Sequence, residues 1–200
     1  TDSGTVTVGG NLAATTDANN GVINLGTLAV DGTVQLTTNG SGNATVVNDA
    51  GLNFAASTVG GIFNATATTG NIADSGALTI AGAATFITGA SGSDIILDSS
   101  ANAFSGSVTF QADAGNETFG NITFVDSGAV RLHSSASADG DLYINASTDA
   151  AVGGNLNVTA TTGNIRQGRA VAVAGTSSFT TSANNATIAL DTTTNAFTGA

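Results

Sequence analysis

The chain contains no cysteine, proline, methionine or tryptophan in 200 residues. Without cysteine it has neither a disulfide nor a thiolate metal site. A cysteine-free chain also escapes premature disulfide trapping during unfolded export, which suits a secreted protein. Lysine is absent too: the three cations are Arg131, Arg166 and Arg169, set against 14 acids, for a formal net charge of -11. Nucleic-acid binding is excluded as a reading, because neutralising phosphates needs clustered Lys and Arg. Anionic membrane surfaces are disfavoured on the same ground. His133 is the one histidine, so a multi-histidine metal site is excluded. Tyr143 is the one tyrosine, which leaves few aromatics for stacking on sugars. No apolar run approaches the ~20 residues that span a bilayer. No charged segment followed by an apolar one reads as a signal peptide, so the chain is expected to be a mature or excised piece of a longer protein.

What is present is a core in small portions. Hydrophobic residues make up 41% and mean hydropathy is +0.24, above the range of disordered chains. They fall in short alternating runs such as NLNVTA, AVAVAG, ATIALD, NITF and DLYINA. Alternation over four to six residues marks strands, and the Gly, Asn, Asp and Ser between them mark turns. No stretch sustains a 3.6-residue apolar period, so no significant helix is expected.

The runs repeat. Val59–Gly106 aligns without a gap on Val152–Gly199 at an offset of 93, with about half the positions identical; a weaker copy starts at Val8. The string TATTGNI occurs in both strong copies, at Thr66–Ile72 and Thr159–Ile165. Inside lies a shorter ruler: Leu36 to Phe54, Phe86 to Phe104 and Phe179 to Phe197 are each 18 apart. The basic unit is therefore about 17–19 residues and the chain holds about eleven. Such a unit is too short for a propeller blade and fits one coil of a parallel β-helix. The reading is all-β: one continuous β-solenoid over 1–200, with repeat blocks 8–58, 59–151 and 152–200. The two TATTGNI strings should lie on one side of the rod, five coils apart. Within them Gly70 is expected to take a corner with positive φ and Ile72 to turn back into the core.

The succession GNLNVTATTGNI…AVAVAGTSSFTT…NATIALD…NAFTG resembles the repeat regions of filamentous-haemagglutinin-like bacterial surface adhesins. That resemblance implies a right-handed parallel β-helix in an extracellular stalk or fibre on the bacterial surface. NETFGNITF and Ser134–Asp141 depart from the pattern and are read as a longer loop or irregular coil.

Candidate sites are weak. GASGSDIIL (Gly89–Leu97) partly matches a calcium-binding nonapeptide, with Asp94 at the ligand position, but its sister SANNATIAL has Thr187 there. Asp139 and Asp141 in ADGDLY are a second calcium candidate. A glycosidase pair among Asp98, Asp126 and Asp191 is disfavoured, because a repeat copies Asp98 as Asp191. Arg131 and His133 share a strand face opposite Val130 and Leu132. Arg166, Gln167 and Arg169 replace Ala73, Asp74 and Gly76, which reads as a tolerant surface loop. Asn43, Asn64, Asn116, Asn121, Asn145, Asn157 and Asn185 open N-x-S/T triplets, expected by chance in so Asn- and Thr-rich a chain. Thr66/Thr68 and Thr159/Thr161 recur only every 93 residues, against an ice-binding array. The expectation is a non-enzymatic stalk or fibre segment without a cofactor. Its expected partners are neighbouring coils or further copies of the same protein, with end-to-end association into an extracellular filament as the extension of that reading. A module binding cell-surface glycans or a protein partner is the alternative, ahead of a polysaccharide-active enzyme.

Overall fold

Inward and outward side chains alternate along nearly every strand. In Ala44–Asn48, Phe63–Ala67 and Ala84–Thr88 the first, third and fifth residues are buried and the others half-exposed. One face therefore lines a core and the other meets solvent. The computed structural model describes residues 2–17, 19–112, 118–132, 141–144 and 150–199, with backbone alone for 131, 141–144 and 150. Among these residues there is no helix. Their strands pair only in parallel, in sheets of ten, eleven and three strands. The molecule is an all-β parallel β-solenoid of about eight turns. At ~4.8 Å per turn, that is a rod on the order of 40 Å long.

The turn count and period correct the sequence reading. Stacked positions on the first sheet run Ala44, Phe63, Ala84, Val108, at spacings of 19, 21 and 24. The 18-residue ruler measured something else. Phe86 belongs to the first sheet and Phe104 to the second. Their rings face each other across the core at 6.2 Å, whereas the neighbours of Phe86 on its own wall are Ala65 and Phe110. Apolar spacing reports that a residue points inward, not which wall it belongs to.

The 93-residue offset does not bring the copies back to one side. Phe63 stands on the first sheet and its equivalent Leu156 on the second. From Ile72, one wall beyond Phe63, the second sheet runs through Ile95 and Ile122 to Leu156 in three steps. The offset thus spans three turns and one wall. Long turns cause the slip: Phe119 pairs with Val152, Ile122 with Leu156 and Val130 with Ile165, spacings of 33 to 35. Here the strand Asp141–Ile144 also sits between Val108–Ala112 and Val130–Leu132, out of chain order. This is the stretch whose sequence departs from the repeat.

The core is one column of apolar side chains. At its centre Phe54, Phe63, Phe86, Phe104, Phe110 and Phe124 pack ring against ring at centroid distances of 5.3–6.4 Å, mostly edge to face, the favoured arrangement. Polar side chains turn inward at some corners and cap the backbone of the preceding turn. Asn48 accepts from the Val30 N–H (2.9 Å) and donates to the Val30 and Gly51 carbonyls. Asn102 accepts from Leu78 N–H, Asp126 from Phe104 N–H and Asn195 from Val171 N–H. Turns also touch backbone to backbone where glycines stack. A Cβ on Gly82 would lie 2.5 Å from the Gly61 carbonyl oxygen, and one on Gly106 equally close to that of Gly82.

Candidate functional surface

Negative charge is kept off the flat walls among the described side chains, whereas Arg166 stands exposed in the middle of the strand Ile165–Gln167. Every described acid side chain lies in a corner or, for Asp74 and Asp126, on the last residue of a strand. The outward column on the first sheet reads Asn24, Thr45, Asn64, Thr85, Thr109. On the second sheet Thr15, Thr37, Thr58 and Thr79 stack over four turns. The sequence reading missed this threonine column because it looked for pairs at a 93-residue interval rather than single residues at 21–22. Its neighbours Ala13 and Gln35 are not threonine, so no T-x-T array forms there.

A ladder of side-chain amides and one carboxylate runs along one corner. Asn71 Oδ1 accepts from Asp94 N–H (2.8 Å). Asp94 Oδ1 accepts from the Asn121 N–H (2.6 Å) and side-chain amide (3.1 Å). Asn121 Oδ1 accepts from Asn155 N–H (2.9 Å), and Asn155 Oδ1 from the N–H and hydroxyl of Thr176 (2.8 and 3.0 Å). Each rung ties a turn to the next through an otherwise unpaired corner N–H. Asn11 and Asn164 make the same bond to Thr33 and Thr187. The signal was legible but unread: Gly-Asn-Ile or Gly-Asn-Leu occurs at residues 10, 70, 120, 154 and 163, and each Asn is such a stitch. TATTGNI is therefore a corner. Ala67 and Ile72, like Ala160 and Ile165, are inward. Thr69 and Thr162 donate their hydroxyls to the Asp49 and Ser127 carbonyls. Gly70 has φ +88° as expected, while Gly163 is instead pressed against the Ala129 backbone.

The predicted sites disperse. Asp94 is a ladder rung, half-buried. Asp139 and His133 lie outside the described residues, as do Asn116 and Asn145, and Asp141 is described only as strand backbone. Among the described residues no three His, Cys, Asp or Glu gather to hold a metal. Asp98 and Asp191 are exposed corner residues, whereas Asp126 is buried. Val130 and Leu132 point inward, and Arg131 is register partner to Arg166 and to Asp141.

The position shared by Asp74 and Gln167 is not the tolerant loop position the sequence suggested. Asp74 accepts from the Asp98 N–H (2.9 Å) and the Asn102 amide (2.7 Å). Gln167 accepts from the Thr192 N–H (3.3 Å) and the Asn195 amide (3.0 Å). The repeat preserves the same corner with a neutral residue. Burial, more than the neighbouring Asp98 charge, pushes the Asp74 carboxyl above the usual range. Arg166 and Arg169, near Gln167 in the chain, are exposed.

No curated protein and no solved structure matches the chain. A family model does, over residues 41–111 and 119–200, together more than half of the chain. The chain belongs to the family described as repeats of unknown function (DUF5649).

Proposed function

We propose that this solenoid is a structural stalk or fibre segment of a secreted bacterial surface adhesin, acting as a mechanical spacer without an enzymatic activity or cofactor. The observation that carries the reading is the axial ladder from Asn71 to Thr176, which adds a side-chain stitch between successive turns to the parallel backbone pairing. Coupling between neighbouring turns lets stability grow with length, as a spacer needs. Acidic corners on a chain of net charge -11 keep rods apart in solution. Tandem copies viewed by electron microscopy should be straight rods lengthening by ~4.8 Å per added turn; compact particles would contradict the reading. Antibody against the chain should stain intact source cells, and staining restricted to permeabilised cells would remove the surface assignment.

A second reading is a module that binds a neutral glycan. The uncharged Asn24–Thr45–Asn64–Thr85–Thr109 column favours it, offering hydroxyls and amides in register. A neutral-glycan array with no binding would leave the spacer role alone.

A further inference from the structure

A protease that reads arginine or lysine has three positions to choose from in this chain, Arg131, Arg166 and Arg169. The fold treats them differently. Arg131 lies in the middle of the strand Val130–Leu132, between the buried Val130 and Leu132, with a strand paired on either side. Arg166 lies in the middle of Ile165–Gln167, paired on one side by Val130–Leu132 and on the other by Ile188–Ala189. A protease needs free, extended backbone, so cutting at either residue requires a strand to leave the ladder first.

Arg169 stands between strands. It follows Ile165–Gln167 and precedes Val171–Val173, in the corner 168–170. Gly168 and Arg169 are exposed, and Ala170 begins the return to the core. The Gly168 N–H donates to the Leu132 carbonyl (2.9 Å) and the Val171 N–H to Asn195 Oδ1 (3.0 Å). Between them, no acceptor among the described residues takes the N–H of Arg169 or Ala170. The sister corner is closed. Gly76 holds the place of Arg169 there, and a Cβ on it would lie 2.5 Å from the Ala56 backbone nitrogen. That corner has no room for a side chain, whereas this one carries a long cationic side chain in solvent. Exposed tips of this kind are where folded chains are nicked.

We propose that the Arg169–Ala170 bond is the site at which an arginine-directed serine protease cuts the folded rod, and that the cut rod keeps its last turn seated. Such an enzyme has a carboxylate at the foot of its specificity pocket, which fits the exposed Arg169 guanidinium. Hydrolysis adds one water across the amide, leaving a carboxylate on Arg169 and an amine on Ala170. The piece 170–200 stays held by parallel ladders: Val171–Val173 on Ala150–Val152, Ser177–Thr181 on Leu156–Ala160, and Ile188–Ala189 on Ile165–Arg166. Val171 and Val173 also remain in the apolar column. The inference holds whether the rod is a spacer or a glycan-binding module.

Trypsin is the probe. It should convert the native 200-residue chain first to fragments 1–169 and 170–200, read by intact-mass spectrometry, while the urea-unfolded chain is cut at all three arginines. Arg169→Gln should melt with the unmutated chain and lose the early cut. A first cut at Arg131 or Arg166 would overturn the site. So would a native chain left whole under conditions that digest the unfolded one. On size exclusion the nicked chain should elute with the intact one; release of 170–200 in native buffer would overturn the seated last turn.

Discussion

Phe86 and Phe179 hold equivalent places in the repeat but not in the rod. Phe86 is fully buried, with the rings of Phe54, Phe63, Phe104 and Phe110 at 5.5–6.4 Å. Phe179 is only partly buried, with Phe197 at 5.9 Å as its ring partner. Truncating Phe86 to alanine removes apolar burial and leaves a cavity that four rings cannot fill without abandoning their own contacts. The cost should be about 3–5 kcal/mol. Phe179→Ala gives up roughly half of a phenylalanine's burial and opens to solvent, so about 1–2 kcal/mol is expected. Urea unfolding followed by far-UV circular dichroism reads both, as a shift in midpoint at unchanged slope. Equal losses, or a Phe86→Ala loss below ~1 kcal/mol, would refute the aromatic column as the centre of stability.

Gly82→Ala forces a methyl against the Gly61 carbonyl, which is backbone and cannot swing aside; thermal unfolding should show a loss of about 1–3 kcal/mol. Asn121→Ala cuts the ladder at its middle, removing the bonds to Asn155 N–H and to Asp94. A loss of about 1–2 kcal/mol is expected, whereas Asn53→Ala on an exposed wall position should be near neutral. Asp74→Gln installs the residue used by the sister corner. Because burial raises the Asp74 carboxyl, the variant should melt above the unmutated chain at pH 7. The margin should close as pH falls through the raised folded value and level off below the ordinary 3.8, where the unmutated side chain is protonated in both states.

Most strands were legible because they have one inward face, and period-two alternation follows directly from that. Ala84–Thr88 and Leu156–Ala160 needed nothing more. The solenoid followed from the short repeat and the steady supply of turn residues. The turn count was not legible, since Phe86 and Phe104 look alike in sequence whether they stack on one wall or face each other across the core. The fate of polar corner residues was hidden for a related reason. Asn48, Asn102 and Asp126 are the residue types expected in exposed turns, and only their coil-to-coil register reveals that they are buried caps. Asp74 and Gln167 differ in charge, so they read as drift. Each offers an acceptor oxygen to the corner N–H and to the amide of Asn102 or Asn195, and the corner uses that oxygen.

The turn period can be tested by deletion, with two cuts that sequence spacing alone would rank the wrong way. Removing the 24 residues Ala84–Ser107 joins Ala83 to Val108, the register successor of Ala84. The first sheet then stacks Val108–Ala112 directly on Phe63–Ala67, and the second stacks Ile122 on Ile72, each inward residue meeting another inward residue. The cut loses one turn together with the Asn102 cap, so about one-eighth of the axial contacts go and a cooperative transition should remain. Removing the 18 residues Phe86–Ala103 follows the apparent ruler and puts Phe104 in the place of Phe86. It keeps the apolar letter but draws a second-sheet residue onto the first wall, leaving the turn one wall short. Strands beyond the cut then meet the wrong neighbours. Circular dichroism and urea melts should show the 24-residue deletion folded and the 18-residue deletion with a broadened or absent transition. The reverse ranking would mean that 18 residues, not 21 to 24, is the local turn, and the register described for Phe86 and Phe104 would have to be abandoned.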